Sequence, residues 1–154
     1  MPDSLQLVVF TLDEHRYALH LSSVERAINM IEITPLPSAP EIVIGVVNVH
    51  GSVIPVMDVR KRFRLPEREP DLGDQLLIAH TSSRDVALVV DAVDDVLAVA
   101  SGEPVTPETI LPHLEHVEGV VRLDGGMIFI HDLDAFLSLE EEQALETAIE
   151  AGSR

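Results

Sequence analysis

The stretch from Ile44 to Arg60 constrains this chain more than any other part of it. Apolar residues fill both of its arms. The polar exceptions, Asn48, His50, Gly51, Asp58 and Arg60, fall at the middle and the exit. The pattern reads as two strands folded across a glycine turn, because glycine accepts backbone conformations that other residues resist. Few of its side chains do chemistry, so the segment points to a protein that works through a surface.

The same theme runs along the whole chain. Leu5 to Leu12 is apolar on both faces, with Leu5, Leu7 and Val9 on one side and Val8, Phe10 and Leu12 on the other. A turn at residues 13–16 leads into Tyr17, Leu19 and Leu21, which alternate with Ala18 and His20 at the period of a strand. Ser22 or Ser23 suits the cap of one helical turn, and Ala27 to Ile33 again looks extended. Pro35, Pro37 and Pro40 rule out a central strand between them, because each lacks an amide donor, so this is a stiff connector. The hairpin from Ile42 to Val59 follows. Residues 60–75 are charged and hold Pro66, Pro70 and Gly73, which places the joint between two lobes there.

Gln75 to Thr81, Val86 to Val90 and Val93 to Ala100 are further strands. Residues 101–118 form a proline-bearing connector. Gly119 to Leu123 and Met127 to His131 flank Asp124-Gly125-Gly126, a strong hairpin signal. The tail changes period: Leu133, Phe136, Leu137, Ala144, Leu145, Ala148 and Ile149 share one face at 3.6-residue spacing, with Asp132 or Asp134 as the cap. The expectation is one domain over residues 1–154, divided into lobes at 5–65 and 75–131 and closed by a helix at 132–150. Some ten short strands in two sets of about five imply two small barrels.

Only 3% of the residues are aromatic and none is Trp, so Val, Ile and Leu must fill the core, which favours strands. A net charge of -17 makes nucleic acid and anionic lipid poor partners. The cations are unevenly spread: Arg60, Lys61, Arg62, Arg64 and Arg68 account for five of the ten. The plain reading is a solvated loop whose cations offset nearby carboxylates. The absence of cysteine fits a reducing compartment. No signal peptide is evident at the N-terminus, and no apolar run approaches the roughly 20 residues of a membrane-spanning helix. A cytoplasmic protein without membrane insertion is expected.

Catalytic chemistry finds little support. There is no cysteine, no nucleophile elbow, no serine beside a plausible histidine base and no phosphate loop. Asp91, Asp94 and Asp95 mark a strand end and read as solvated. Of seven histidines, only His113 and His116 have ligand-like spacing, and they lie in the connector; no metal or cofactor is expected. His20, His80 and His131 each end an apolar strand and read as structural. By contrast, Val24 to Ile28 and the positions Gly45, Asn48 and His50 mix small or apolar residues with isolated polar ones. That composition suits an interface core with a polar rim, although a packing role for Gly45 and Val24 fits the same residues.

In order and spacing, these segments resemble the CheW family of bacterial chemotaxis coupling proteins from about Leu5 to Leu139. The carrying residues are Val9-Phe10-Thr11-Leu12, Tyr17-Ala18-Leu19 and Val24, then Pro37, Pro40 and Gly45-Val46-Val47-Asn48. Gly51 to Arg60 with Phe63, and Val89-Val90-Asp91 with Val93 and Val96, complete the match. The resemblance implies an all-β fold of two SH3-like five-stranded β-barrel subdomains with a C-terminal α-helix. It also implies a non-enzymatic adaptor whose partners are the regulatory domain of a CheA-type histidine kinase, itself built like CheW, and the cytoplasmic tip of chemoreceptors. Carried over by position, the receptor-facing groove takes in Val24, Arg26, Gly45, Asn48 and His50, and the kinase contacts include Arg84 and Val86. Two positions depart from the family pattern: His50 stands where an arginine is usual, and Arg26 where an acid is frequent. A titratable ring thus replaces a permanent charge, and a nearby sign is reversed. The alternatives this opens are a paralogue in a chemosensory system for pilus motility or gene control, and a kinase-binding module that contacts no receptor.

Overall fold

The computed structural model describes residues 4–63, 65–66, 68–82, 84–100, 117–123, 126–135 and 138–152. The connector at 101–116 with His113 and His116, the turn residues Asp124 and Gly125, and Phe136 and Leu137 lie outside the described residues.

Among the described residues, ten strands form two five-stranded sheets. The first holds β1 (Ser4–Leu12), β2 (His15–His20), β8 (Ala92–Ala100), β9 (Val117–Leu123) and β10 (Gly126–His131), in the order β8-β1-β2-β10-β9. The second holds β3 (Val24–Asn29), β4 (Val43–Val49), β5 (Ser52–Met57), β6 (Gln75–His80) and β7 (Asp85–Val90), in the order β3-β6-β7-β5-β4. A short helix, α1 (Val59–Arg62), follows β5, and α2 (Leu139–Gly152) ends the described chain. Among the described residues no helix is long and apolar enough to cross a membrane.

The expected lobes at 5–65 and 75–131 do not match the sheets. The second sheet is one continuous piece, residues 24–90, while the first combines the N-terminal hairpin with the last three strands. The reason lies in β1. Its two apolar faces suit an inner strand, and β8 and β2 flank it on either side.

Burial follows the same logic. Leu7 and Val9 pack with Ala18, Ile128 and Ile130 inside the first sheet's own core. Val8, Phe10 and Leu12 face the other way, onto Leu77, Ala79, Val86, Leu88 and Val90 of the second sheet. The alternate residues of that sheet, Leu76, Ile78, Ala87 and Val89, meet Val47, Val49, Ile54 and Val56 in a core of their own. Each five-stranded unit therefore has a private core, and a shared core joins the two.

Aromatic rings gather at the edge of the shared core. Tyr17 stacks on Phe63 with centroids 4.6 Å apart, and Phe63 stacks on His131 at 4.1 Å. Burial, helped by the Asp13 charge and opposed by Arg60, raises the Tyr17 hydroxyl above its usual pKa. His131 is buried here, in line with a structural role, whereas His80 is exposed.

The helix starts later than its periodicity implies. Ser138 Oγ accepts the Glu141 amide at 3.1 Å and Glu141 Oε1 accepts the Ser138 amide at 2.9 Å, a reciprocal cap. Asp132 instead accepts the amide of Asp134 in a 3-10 turn, and Asp134 accepts the amide of Ser82 at 2.6 Å. Leu145 and Ala148 are the buried stripe of α2.

Candidate functional site

The register of the second sheet fixes where its surface residues lie. β6 runs antiparallel to β3 and β7, β5 runs parallel to β7, and β4 runs antiparallel to β5. The β4–β5 and β6–β7 turns and the start of β3 therefore share one end of the sheet. The β3–β4 connector and the segment leading into β6 share the other.

Val24, Asn48, His50 and Arg84 all fall toward the turn end. Val24 is half-buried, packed against the shared core, and Arg26 is exposed on β3. One cross-strand row joins Arg26, Ile78, Ala87, Val56 and Gly45, so Arg26 and Gly45 occupy the two terminal strands of the sheet at the same level. Asn48 and His50 are exposed, and Asn48 Oδ1 accepts the Gly51 amide at 2.9 Å. His50 and Gly51 both have positive φ, 51° and 88°, as a two-residue hairpin loop of matching twist requires.

Gly45 is buried, and its role is packing. Thr34 and Val46 exchange two backbone hydrogen bonds of 2.8 Å, which lays the connector across Gly45. A Cβ there would stand 2.3 Å from the Thr34 carbonyl oxygen. Only glycine fits without displacing backbone.

The two residues carried over as kinase contacts are not free surface. The Val86 side chain is 0% exposed. Arg84 Nε donates to Glu142 at 3.0 Å, and its Nη2 lies 3.6 Å from Glu146, so its guanidinium holds α2. Arg62 does the same further along, donating to both oxygens of Glu141 at 2.8 Å. Burial works to raise the Glu141 carboxyl, but the Ser138 amide and Arg62 outweigh it and hold it below its usual range.

The basic segment behaves as an offset for carboxylates, with Lys61 and Arg68 exposed and Arg60 withdrawn from solvent. Arg60 is 5% exposed and bridges Asp13, Asp91 and the Pro66 carbonyl. Arg68 pairs with Asp74 at 2.9 Å and with Asp91 at 2.7 Å. Both guanidiniums are held above their usual pKa by these carboxylates, Asp13 leading for Arg60 and Asp74 for Arg68, against the opposing pull of burial. Asp91 is thus half-buried and engaged, not wet. Asp94 is exposed and accepts the Thr11 hydroxyl at 2.6 Å.

Sequence reasoning missed the opposite end of the sheet. There an open groove of about 400 Å³ is lined by Met30, Ile31, Ile33, Pro35, Ile44 and Leu72, with Pro70 and Asp71 at its side. Leu72 is 87% exposed. A lone leucine in a charged, proline-bearing loop was the available signal, since nothing nearby in sequence explains it.

Comparison with known proteins agrees with this architecture. Residues 6–146 match the family model described as the CheW-like domain. The chain is similar to the chemotaxis protein CheW of Rhizobium meliloti (strain 1021), 30% identical over 141 residues that span 90% of this chain and 91% of that protein. It is also similar to the chemotaxis protein CheW of Treponema pallidum (strain Nichols), 28% identical over 93% of this chain and 88% of that protein. Among solved structures, the scaffolding protein TtCheW of Thermoanaerobacter tengcongensis superposes with a TM-score of 0.81 at 30% identity, over 92% of this chain and 96% of that one.

Proposed function

This chain belongs to the CheW-like domain family, and from that premise we propose that it is a non-enzymatic cytoplasmic adaptor, coupling chemoreceptors to a CheA-type histidine kinase. Its relatives carry the names chemotaxis protein and scaffolding protein. Its fold is the all-β one of that family, two SH3-like five-stranded units with a C-terminal helix.

One observation carries the reading: the second sheet presents two different surfaces at its two ends. Toward the turn end Val24 is half-buried at the start of β3 and Asn48 and His50 are exposed in and beside the β4–β5 turn, with Arg26 exposed two residues beyond Val24 on β3. The other end is an apolar groove crowned by Leu72. An adaptor needs two surfaces that do not compete, and their placement toward opposite ends of one sheet provides that.

We assign the turn end to the receptor tip, a helical partner whose apolar face suits Val24 and whose polar groups face Arg26, Asn48 and His50. The apolar groove takes the kinase regulatory domain. This replaces Arg84 and Val86, whose side chains are committed to α2 and to the core. Aliphatic burial supplies most of the affinity at the groove, and charge sets partner choice at the turn end.

The test is capture of the two purified partners, the receptor tip and the kinase regulatory domain, by single variants. Leu72→Glu is expected to lose the kinase domain and keep the receptor tip, and Arg26→Glu to do the reverse. Retention of both partners by both variants overturns the assignment of surfaces. Failure of the unaltered chain to bind either partner overturns the function.

A further inference from the structure

Three strands of the second sheet bring together side chains that no docking role explains. His80 closes β6, Asp85 opens β7, and the two are register partners, with His80 Nδ1 2.5 Å from Asp85 Oδ1. Glu25 joins them from β3. The pairing of β3 with β6 passes directly from Val24–Ala79 to Arg26–Ile78, which leaves Glu25 as the extra residue of a β-bulge. A bulge re-aims a side chain that regular alternation would send elsewhere. The donor atoms of Glu25, His80 and Asp85 all lie within 4.8 Å of one another.

We propose that Glu25, His80 and Asp85 form a binding site for a divalent transition cation, with Zn2+ as the best fit. One imidazole nitrogen and two carboxylate oxygens are a borderline donor set. Such a set favours zinc over magnesium and calcium, which prefer oxygen alone. Tetrahedral ligands at zinc distances stand roughly 3.3 Å apart. The group needs only to spread slightly at the His80–Asp85 pair and draw in elsewhere. All three side chains are exposed, and the His80–Asp85 hydrogen bond is exchanged for bonds to the cation. The cation neutralises the two carboxylates of a chain that carries a net charge of -17. Three protein ligands leave a fourth position for water or for a donor from a bound partner, and this site adjoins Val24 and Arg26 at the turn end.

Calorimetry of the intact chain with zinc chloride tests the site independently of any receptor or kinase. A single zinc site is expected, weakened at least ~10-fold in His80→Ala and in Glu25→Gln, with no heat from magnesium chloride. The double variant His113→Ala/His116→Ala is expected to keep it. The exposed positions leave the fold intact, which far-ultraviolet dichroism of each variant verifies. Absence of zinc heat in the unaltered chain overturns the proposal. So does binding that survives both the His80 and the Glu25 changes, or binding that disappears with His113 and His116.

Discussion

Arg60 and Asp91 tie the two sheets together through one guanidinium nitrogen, which lies 2.8 Å from Asp91 Oδ1 and 3.1 Å from its Oδ2. The same nitrogen is 2.8 Å from Asp13 in the β1–β2 turn, and Asp91 Oδ2 accepts the Asp13 amide at 2.8 Å. Arg60 follows β5 of one sheet, Asp13 belongs to the other, and Asp91 sits where the chain crosses between them. Removing the Arg60 cation leaves the Asp13 carboxylate beside Asp91, which then keeps only Arg68 as its cationic partner among the described residues.

Arg60→Ala is therefore expected to cost roughly 2–4 kcal/mol, a little below the range for a fully buried pair because Asp91 keeps a 28% exposed side chain. Arg60→Lys should recover only part, since an ammonium cannot serve three oxygens and a carbonyl with one planar fork. Urea unfolding midpoints of the three proteins check the order.

Asp91 also predicts a pH dependence. Burial pushes its carboxyl up, but the Asp13 amide, Arg60 and Arg68 prevail and lower it from its ordinary value of 3.8. A depressed carboxylate stabilises the fold above its unfolded-state pKa, and that contribution disappears as pH falls through the folded-state value. Acidification simultaneously relieves the self-repulsion of a net charge of -17, which acts in the opposite sense. The difference between the unaltered chain and Asp91→Asn isolates the pair. It is expected to stay constant from pH 7 to about pH 5 and to shrink below about pH 4. A difference that grows on acidification would contradict the geometry.

What the sequence disclosed followed from local periodicity, and what it withheld depended on pairing. The two apolar faces of β1 and the glycine turn at Gly51 are read from neighbouring residues, and both appear in the structure as the pattern requires. The choice of β8 rather than a strand of the other sheet as the partner of β1 rests on long-range register, which no local pattern encodes. For the same reason the burial of Arg60 was hidden: its partners lie in a turn and a crossing far along the chain. Arg84, carried over by resemblance as a kinase contact, is held by helix partners, Glu142 and Glu146, that stand well over fifty positions away.

Gly45 and Arg26 lie on the same cross-strand row yet should respond oppositely to substitution. A methyl group at Gly45 meets the Thr34 carbonyl oxygen at 2.3 Å, so Gly45→Ala must push the connector off β4 and break the two Thr34–Val46 hydrogen bonds. A loss of about 2–3 kcal/mol is expected, with Thr34 and Val46 amide protons exchanging faster. Arg26→Glu touches only solvent-facing space and should shift stability by no more than about 0.5 kcal/mol. Receptor binding lost in Gly45→Ala reports a damaged fold; the same loss in Arg26→Glu reports a contact.

Helix α2 is held by its cap, by Arg62 and Arg84, and by the buried Leu145 and Ala148. Ser138→Ala removes the acceptor for the Glu141 amide and is expected to cost about 1 kcal/mol. Leu145→Ala, at a position with no exposure, should cost about 2–5 kcal/mol. Unfolding midpoints followed by circular dichroism separate the two, since a cap loss frays the helix start without emptying the shared core.

His50 carries a conformational cost that its position makes measurable. Its φ of 51° is the left-handed region, which most side chains avoid and which histidine, asparagine and aspartate enter more readily than others. His50→Asn gives the loop the Asn-Gly pair that two-residue hairpins favour most, so stability should rise by about 0.5 kcal/mol. His50→Val places a β-branched residue there and should cost about 1–2 kcal/mol. Receptor capture by the Asn variant then separates shape from contact. If the imidazole touches the receptor tip, binding weakens although the hairpin has become more stable. If His50 serves only to turn the chain, capture follows stability, and the Asn variant binds at least as well as the unaltered protein.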